Sequence, residues 1–369
     1  MLRLALVQGV GPQRLAALIE AFGSAERALD APVRAVGALP GFGSSLVGRI
    51  KAARDPAQGS AARAAIATLR SVGAFVITRQ SALYPPAFTH LPDAPYLLFA
   101  AGDPELLKLP GIAVVGTREP TPYGRAVAEE LSAELGVAGF SIISGLARGI
   151  DSAAHLGALR SGCSTVAVLG NGIEQVYPWE SRRLRDQIRE KGLILTEYPP
   201  GETPKPGNFP RRNRLITALS EAVLVVEMGI HSGAQHTVGY ALEQGKEVLA
   251  IPGSINSPAS AGTNQLIKEG ARLVTSAADV IEELRGVGRS SVRPSSPSTA
   301  GPAELRSSAL QLLSPGEQKL MRSLSPDPAH VDEIARDAGE TTAAILTTLL
   351  HLEMRGLVSA LPGKRYCLT

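Results

Sequence analysis

The sequence predicts an α/β protein, a doubly wound parallel sheet preceded by a small helical domain and followed by a winged-helix domain. Three observations carry that expectation. From residue 74 onward short apolar runs alternate with helix-length segments, the pattern of parallel strands covered on both faces. The first seventy residues show helical periodicity instead. A stretch rich in Ser, Pro, Gly and Arg at 286–310 then separates the sheet from a last block that reads helix, helix, helix, hairpin. The domains expected are residues 1–71, 72–285 and 311–369, with 286–310 as a flexible linker.

In the first block, Leu15, Leu18, Ile19 and Phe22 fall at helical spacing. Two glycine turns, Gly9-Val10-Gly11-Pro12 and Leu39-Pro40-Gly41-Phe42-Gly43, each precede a helical stretch. The arrangement resembles a SAM-like or helix-hairpin-helix-like domain, whose turns offer backbone amides to DNA phosphates, with Arg14, Arg49, Lys51 and Arg54 in support. A small helical domain that uses its glycines as caps and docks on its neighbour fits the same residues. Strands are expected at 74–78, 96–100, 112–116, 141–145, 165–169, 193–196, 222–227, 247–251 and 271–274. In the last block the helices fall at 315–324, 330–338 and 341–355. The third of them carries only His351 and Arg355 against Glu353, with Glu340 just before it, a poor set for reading a major groove. A protein-interaction or weak DNA role is the better expectation for that domain.

Sheets of this class bind ligands outside the carboxyl ends of their strands, which directs attention to two strand–turn–helix units. Gly111 to Gly116 is an apolar strand; Thr117 to Gly124 is a turn, and Ala126, Val127, Leu131 and Leu135 follow at helical spacing. The second unit has Ser141 to Gly145 as strand, Leu146 to Ile150 as turn and Asp151 as the N-cap of a helix through His155. Glycine lets amides approach an anion, a helix N-terminus adds unpaired N–H groups, and Arg118 and Arg148 add charge, so both turns suit phosphate. The segment from Gly201 to Asn213 reads as a loop. No acid lies between Glu202 and Glu221, while Lys205, Arg211, Arg212 and Arg214 surround Phe209. Cations for a backbone and an aromatic face for a base suit a single strand. Asp151 and His155, spaced i, i+4, read as architectural rather than as an acid–base pair. His231 and His236 flank Ser232-Gly233-Ala234-Gln235, with Thr237 next, and either bind phosphate or border another helix N-terminus.

These motifs in series resemble the DNA-processing protein A family, DprA, also called Smf. The resemblance rests on Val115-Gly116-Thr117-Arg118, Tyr123-Gly124, Ser144-Gly145-Leu146-Ala147-Arg148-Gly149-Ile150-Asp151 and Ala154-His155. It continues through Leu169-Gly170-Asn171-Gly172, Tyr177-Pro178, Phe209-Pro210-Arg211-Arg212-Asn213-Arg214, Ser232-Gly233-Ala234, Pro252-Gly253-Ser254 and Gly262-Thr263-Asn264-Gln265-Leu266-Ile267. It covers roughly residues 74 to 285 and implies an extended Rossmann-like core. By that resemblance the DNA-binding residues are Gly116, Thr117, Arg118, Ser144, Gly145, Arg148, Gly149, Asn171, Lys205, Phe209, Arg211, Arg212, Asn213, Arg214, Ser232, Gly233 and Thr237. The family's spacing varies at Lys205, and the chain departs from it where Ala234-Gln235-His236-Thr237 replaces the more usual Ser-Leu-Ile-Thr.

Composition sets outer bounds. The 369 residues, 44% of them hydrophobic, suffice for two or three domains with sizeable cores. Cys163 and Cys367 stand far apart without metal-ligand spacing, so neither a disulfide framework nor a zinc site is expected, and a cytoplasmic setting fits. The run from Leu2 to Val10 is broken by Arg3 and lacks a cleavage pattern, and no run reaches the length of a membrane span. Net charge is +3 overall but +5 over residues 1–71, −3 over 72–285, +2 over the linker and −1 over the last 59 residues, so any basic binding surface is local. The reading is a cytoplasmic single-stranded DNA-binding protein, neither an enzyme nor in need of a cofactor or metal. The resemblance implies protection of incoming DNA in natural transformation, loading of the recombinase RecA, and a homodimer; duplex DNA stays open as a further partner. The rival is a nucleotide hydrolase of the lysine-decarboxylase-like group, with a free-nucleotide sensor also open. The hydrolases use a Pro-Gly-Gly-x-Gly-Thr loop with a nearby glutamate, whereas the counterpart here runs Ser232 to Thr237 and the next glutamate is Glu243.

Overall fold

The computed structural model describes residues 1–55, 60–230 and 232–286 and, toward the C-terminus, residues 320, 329–339, 341, 342, 345, 346, 348, 349, 352, 358–361 and 365–368. They fall into two compact units, Met1–Pro294 and Ser295–Thr369. The expected linker, apart from Gly286, lies outside the described residues, as do His231, Glu340, His351, Glu353 and Arg355.

The first unit is built on one sheet of nine strands: β1 (Phe75–Thr78), β2 (Leu97–Gly102), β3 (Gly111–Val115), β4 (Ser141–Ser144), β5 (Thr165–Leu169), β6 (Leu193–Thr196), β7 (Ala222–Val225), β8 (Glu247–Ala250) and β9 (Arg272–Leu273). Their spatial order is β1-β2-β6-β5-β4-β3-β7-β8-β9. The strands from β3 to β9 are parallel, while β2 runs antiparallel to both β1 and β6. The sheet is therefore mixed, not wholly parallel. Between β1 and β2 the chain makes only turns and a one-turn helix, Pro86–His90, without the long crossover helix that joins parallel neighbours.

Helices follow the central strands: α7 (Pro122–Val137), α8 (Ile150–Arg160), α9 (Arg182–Lys191), α10 (Asn208–Ala218), α11 (Ala234–Glu243), α12 (Ala261–Lys268) and α13 (Ala277–Gly286), preceded by α1 (Leu2–Ala5), α2 (Pro12–Phe22), α3 (Ala25–Asp30), α4 (Val33–Gly37), α5 (Ser44–Ala52) and α6 (Ser60–Ser71). Alternate residues of the strands feed opposite faces. Ile112, Val114, Ile142 and Leu224 pack with Leu131, Leu135 and Ala154 of α7 and α8, and Ala113, Val115, Val223 and Val225 with Leu215, Ile216 and Val238 of α10 and α11. With side chains buried on both faces, β3, β4 and β5 need continuous apolar runs, which is why they were legible.

The N-terminal helices share a core with Tyr96 and Leu97, at the start of β2. Three of the four cations expected to support phosphate binding there bond to the chain itself. Arg14 Nη1 donates to Gly9 O at 2.8 Å, Arg49 Nε to Gln8 O at 2.8 Å, and Arg54 to Ala31 O. The first glycine turn is thus closed by Arg14 and Arg49.

In the second unit, β10 (Ala329–His330), β12 (Arg365–Leu368) and β11 (Val358–Leu361) form a three-stranded antiparallel sheet in that order. Its helix α14 (Val331–Ala338) begins one residue later than expected because His330 serves as the cap, accepting from Asp332 N at 3.4 Å. Leu320, Val331, Ile334, Leu349, Leu352 and Val358 make its core.

Helices α7 and α8 of the first unit approach each other closely. A methyl group at Gly157 of α8 would overlap the Glu129 carbonyl oxygen of α7, so the helices touch backbone to backbone. Gly239 in α11 has nothing within 4 Å of the same position. The two glycines predict opposite outcomes. Gly239→Ala should stabilise the protein by about 0.5–1 kcal/mol through helix propensity, whereas Gly157→Ala should destabilise it by about 1–3 kcal/mol through overpacking. Urea unfolding of both variants measures the two signs; a stable Gly157→Ala protein would disprove the close crossing.

Candidate functional site

From β3 the chain winds outward through β4, β5 and β6, then returns to place β7 on the other side of β3, so the topological switch point lies between β3 and β7. A crevice of about 590 Å³ opens there, at the carboxyl ends of the strands. After β3 it is lined by Gly116, Thr117, Arg118 and Glu119, after β4 by Ala147 and Asp151, and after β7 by Gly229, Ser232, Gly233, Ala234, His236 and Thr237. Phe209, Pro210, Arg212, Asn213 and Ile216 of α10 close the remaining side.

The turns that shape it are fastened to one another. Thr117 N donates to Glu227 O at 2.7 Å, and Thr117 O accepts from Ile150 N at 3.2 Å. A side chain at Gly149 would overlap Thr117 O, and its φ of 81° is left-handed, so this position requires glycine. Glu227, 1% exposed, accepts from Thr121 N at 2.8 Å and from Thr121 Oγ1 at 2.6 Å, fixing the N-terminus of α7. An acid ending an otherwise apolar run is the one sequence signal for Glu227.

Beneath the crevice lie two buried groups of opposite charge, Asp151 and Arg212. Asp151 is not the cap of α8: Gly149 occupies that position, and the Asp151 carboxylate turns back to accept from Gly145 N at 3.1 Å and Ala147 N at 3.3 Å. A capping acceptor reaches forward into the first helical turn, whereas this one holds the preceding loop. Arg212, 4% exposed, sits beside it and donates to Gly145 O at 2.8 Å and to Val168 O. His155 is fully buried, its Nδ1 2.7 Å from Thr165 Oγ1. Thr165 Oγ1 already donates to Ile142 O, so it accepts from the imidazole, which places the ring proton on Nδ1.

The segment expected to remain a loop through Asn213 is helical from Asn208. Pro210 does not prevent this, because the amides of a first helical turn have no intrahelical acceptor to lose. The helix sorts the predicted residues by direction. Phe209, Arg212 and Asn213 face the crevice, and Asn213 Nδ2 donates to Thr237 Oγ1 at 2.9 Å. Arg211 and Arg214 turn the other way, both to Asp93, at 3.4 and 2.8 Å, and Arg214 also to Glu197 at 2.8 Å. Phe209 is half-buried, its ring stacked on Tyr177 with centroids 5.1 Å apart.

The remaining predicted residues stand around the crevice rather than in it. Ser144 Oγ donates to Val114 O at 2.7 Å, and the Asn171 side-chain amide donates to Gly172 O and Gln175 O at 3.0 and 3.2 Å, so both serve the framework. Gly145 contributes its backbone to the buried pair. Arg148 pairs with Glu180, and Lys205 with Glu202 at 2.7 Å. Arg118 differs from all of these: it is exposed, lines the crevice, and has no ion-pair partner among the described residues. Ala147, Gly229 and Ala234 also line the crevice, apolar turn residues with no chemical mark of their own, and so does the exposed carboxylate Glu119, which the sequence expectation does not include. Among the described residues no group of three His, Cys, Asp or Glu side chains could hold a metal, and no helix is long and apolar enough to cross a membrane.

Comparison with known proteins gives the same outline. Residues 75–285 match the family described as DNA recombination-mediator protein A, and residues 296–364 match the DprA winged helix domain. Protein Smf of Synechocystis is 33% identical over 395 aligned residues, covering 98% of this chain and 96% of its own, and Protein Smf of Escherichia coli is 37% identical, covering 78% and 76%. Among solved structures, DNA processing protein A of Streptococcus pneumoniae is 34% identical with a TM-score of 0.65, over 76% of this chain and 95% of that one. The Helicobacter pylori protein of the same name, whose structure concerns its single-stranded DNA binding mode, is 32% identical with a TM-score of 0.53, over 58% and 96%.

The buried groups below the crevice have a consequence for stability. Burial, aided by the Arg212 charge, pushes the His155 imidazole down to about 3, from an ordinary value of 6.5. Burial raises Asp151, opposed by Arg212, and lowers Arg212 to about 10, opposed by Asp151. For His155 the unfolded chain takes up a proton below about pH 6.5 that the folded protein does not accept until about pH 3. Stability from this group is therefore full above pH 6.5 and declines on acidification, by about 1.4 kcal/mol at pH 5.5. Urea unfolding at pH 7 and pH 5.5 should show the loss, and in His155→Gln the difference between the two pH values should shrink by about that amount. An unchanged difference in the variant would remove His155 as its source.

Proposed function

The chain belongs to the DNA recombination-mediator protein A family, and we propose that it binds single-stranded DNA without sequence preference, with the strand across the crevice at the switch point. One observation carries the proposal most: in a crevice otherwise shaped by internally committed groups, the Arg118 guanidinium is exposed and uncompensated. Phosphate is its natural partner. Beside it are the glycine turn at Gly116 and the start of α11 at Ser232, Gly233 and Ala234, where N–H groups and a helix dipole favour an anion. Phe209 adds an aromatic ring at the crevice wall for a base.

The proposed role is to hold DNA rather than to transform it. Glu119 and His236 also line the crevice, but its two buried titratable groups are committed: Asp151 is bound to two amides and lies near Arg212, and the imidazole of His155 is buried away from solvent. Neither is placed to exchange a proton with a ligand. The family supports the rest of the proposal: a cytoplasmic homodimer that protects incoming strands during natural transformation and loads RecA onto them.

The cations of the site are not equivalent in this reading. Arg118→Ala should weaken oligothymidylate binding by about 1.5–3 kcal/mol, and Lys205→Ala by less, because Glu202 already neutralises Lys205. Affinity should fall with ionic strength, by a slope of about −0.7 per neutralised phosphate, and the Arg118→Ala slope should be shallower by about one such increment. Fluorescence anisotropy across a salt series measures both. Salt-independent affinity, or a folded Arg118→Ala protein that binds like its parent, would overturn the assignment.

A further inference from the structure

We propose that the strand leaves the crevice past Phe209, crosses the loop between β5 and α9, and stacks a base on Trp179, its phosphates met by Arg182 and Arg148. The inference rests on the single-strand reading and extends it to a second binding element. The loop emerges from the carboxyl end of β5, the same edge of the sheet on which the crevice opens. Its link to the crevice is aromatic. Tyr177 stacks on Phe209 with ring planes 30° apart, Phe209 lines the crevice, and Trp179 stands two residues beyond Tyr177.

Both loop aromatics are left in water. Tyr177 is 44% exposed and Trp179 67%, although tryptophan is among the residues that gain most from burial. Packing therefore does not account for Trp179. The Arg182 guanidinium lies over its ring, 5.2 Å from the centroid, so one cation both steadies the indole and stands where a stacked nucleotide would carry its phosphate. Arg148 reaches the same rim through its ion pair with Glu180. Both members of that pair are more than 60% exposed, so the bond is weak and a phosphate can displace the carboxylate. Arg182 has no ion-pair partner among the described residues, so it stands beside the ring as an uncompensated charge. An exposed ring flanked by arginines, continuous with a stacked pair that ends in a cationic crevice, has the chemistry of a single-strand platform.

Trp179 is the only tryptophan in the chain, so its emission reports this position alone. The full-length protein is titrated with an oligothymidylate of about 16 nucleotides, the upper range of single-strand site sizes, while the anisotropy of a labelled copy is followed in parallel. Indole emission should be quenched with the same midpoint as the anisotropy rise. Trp179→Ala should weaken binding about five- to a hundred-fold, the range that loss of one stacked base implies, and Trp179→Phe should restore most of it. Thermal unfolding should be unchanged in both, as the ring is exposed. If the oligonucleotide binds and responds to Arg118→Ala, yet Trp179 emission is unmoved and Trp179→Ala binds like its parent, the platform is disproved and the crevice reading survives. Absence of binding to any oligonucleotide would overturn both.

Discussion

The crevice depends on one buried arginine. Arg212 reaches from α10 under the strand ends and donates to the carbonyls of Gly145 and Val168, while Asp151 beside it takes the amides of Gly145 and Ala147. The pair thereby ties α10 and the start of α8 to the ends of β4 and β5. The attraction between two buried charges is weak support for stability, since desolvation offsets most of it. The effect of the pair here is geometric: without it the carbonyl of Gly145 and the amides of the turn would be left in a dry interior, and the turn could not keep its shape. Glu227 does the corresponding work for the turn after β3.

What was legible in the sequence follows from the same physics. All nine strands of the sheet fall within one or two residues of the sequence expectation; the central ones are legible because strands buried on both faces are largely apolar, whereas the edge strands β1 and β9 are only partly buried or exposed. The antiparallel edge was not legible, because a strand's direction is set by the connection and leaves no mark on its own residues. Around the site, the turns at Gly116 and Gly149 were legible as glycine positions, but residue type alone did not distinguish a cation facing solvent from one facing a partner. Arg211, Arg212 and Arg214 look alike in a loop; once α10 forms, helical spacing sends Arg212 to the crevice floor and Arg211 and Arg214 toward Asp93. Asp93 and Glu197 lie far away in the sequence, so their pairing with Arg214 belongs to the tertiary fold.

The distribution of charge follows a consistent division. Most basic groups near the site are neutralised within the protein, by Asp93, Asp151, Glu180, Glu197 or Glu202. That agrees with the net charge of −3 over residues 72–285. A protein so balanced has little long-range attraction for polyanions in general, and what affinity it has for them is concentrated at the few cations left exposed. The first glycine turn of the N-terminal helices, closed by Arg14 and Arg49, follows the same pattern.

The contact between α7 and α8 bears on how any ligand must adapt. These two helices leave the turns that form adjoining walls of the crevice, and at Gly157 their backbones meet with no side chain between them. Interdigitated side chains can slide or change rotamer; two backbones in contact can do neither without breaking the helices. The spacing of these two turns is accordingly held from behind. The burden of adjustment passes to the guest, which must bend to fit and surrender its own conformational freedom on entry. A pliant polymer can do this, and a stiff rod cannot.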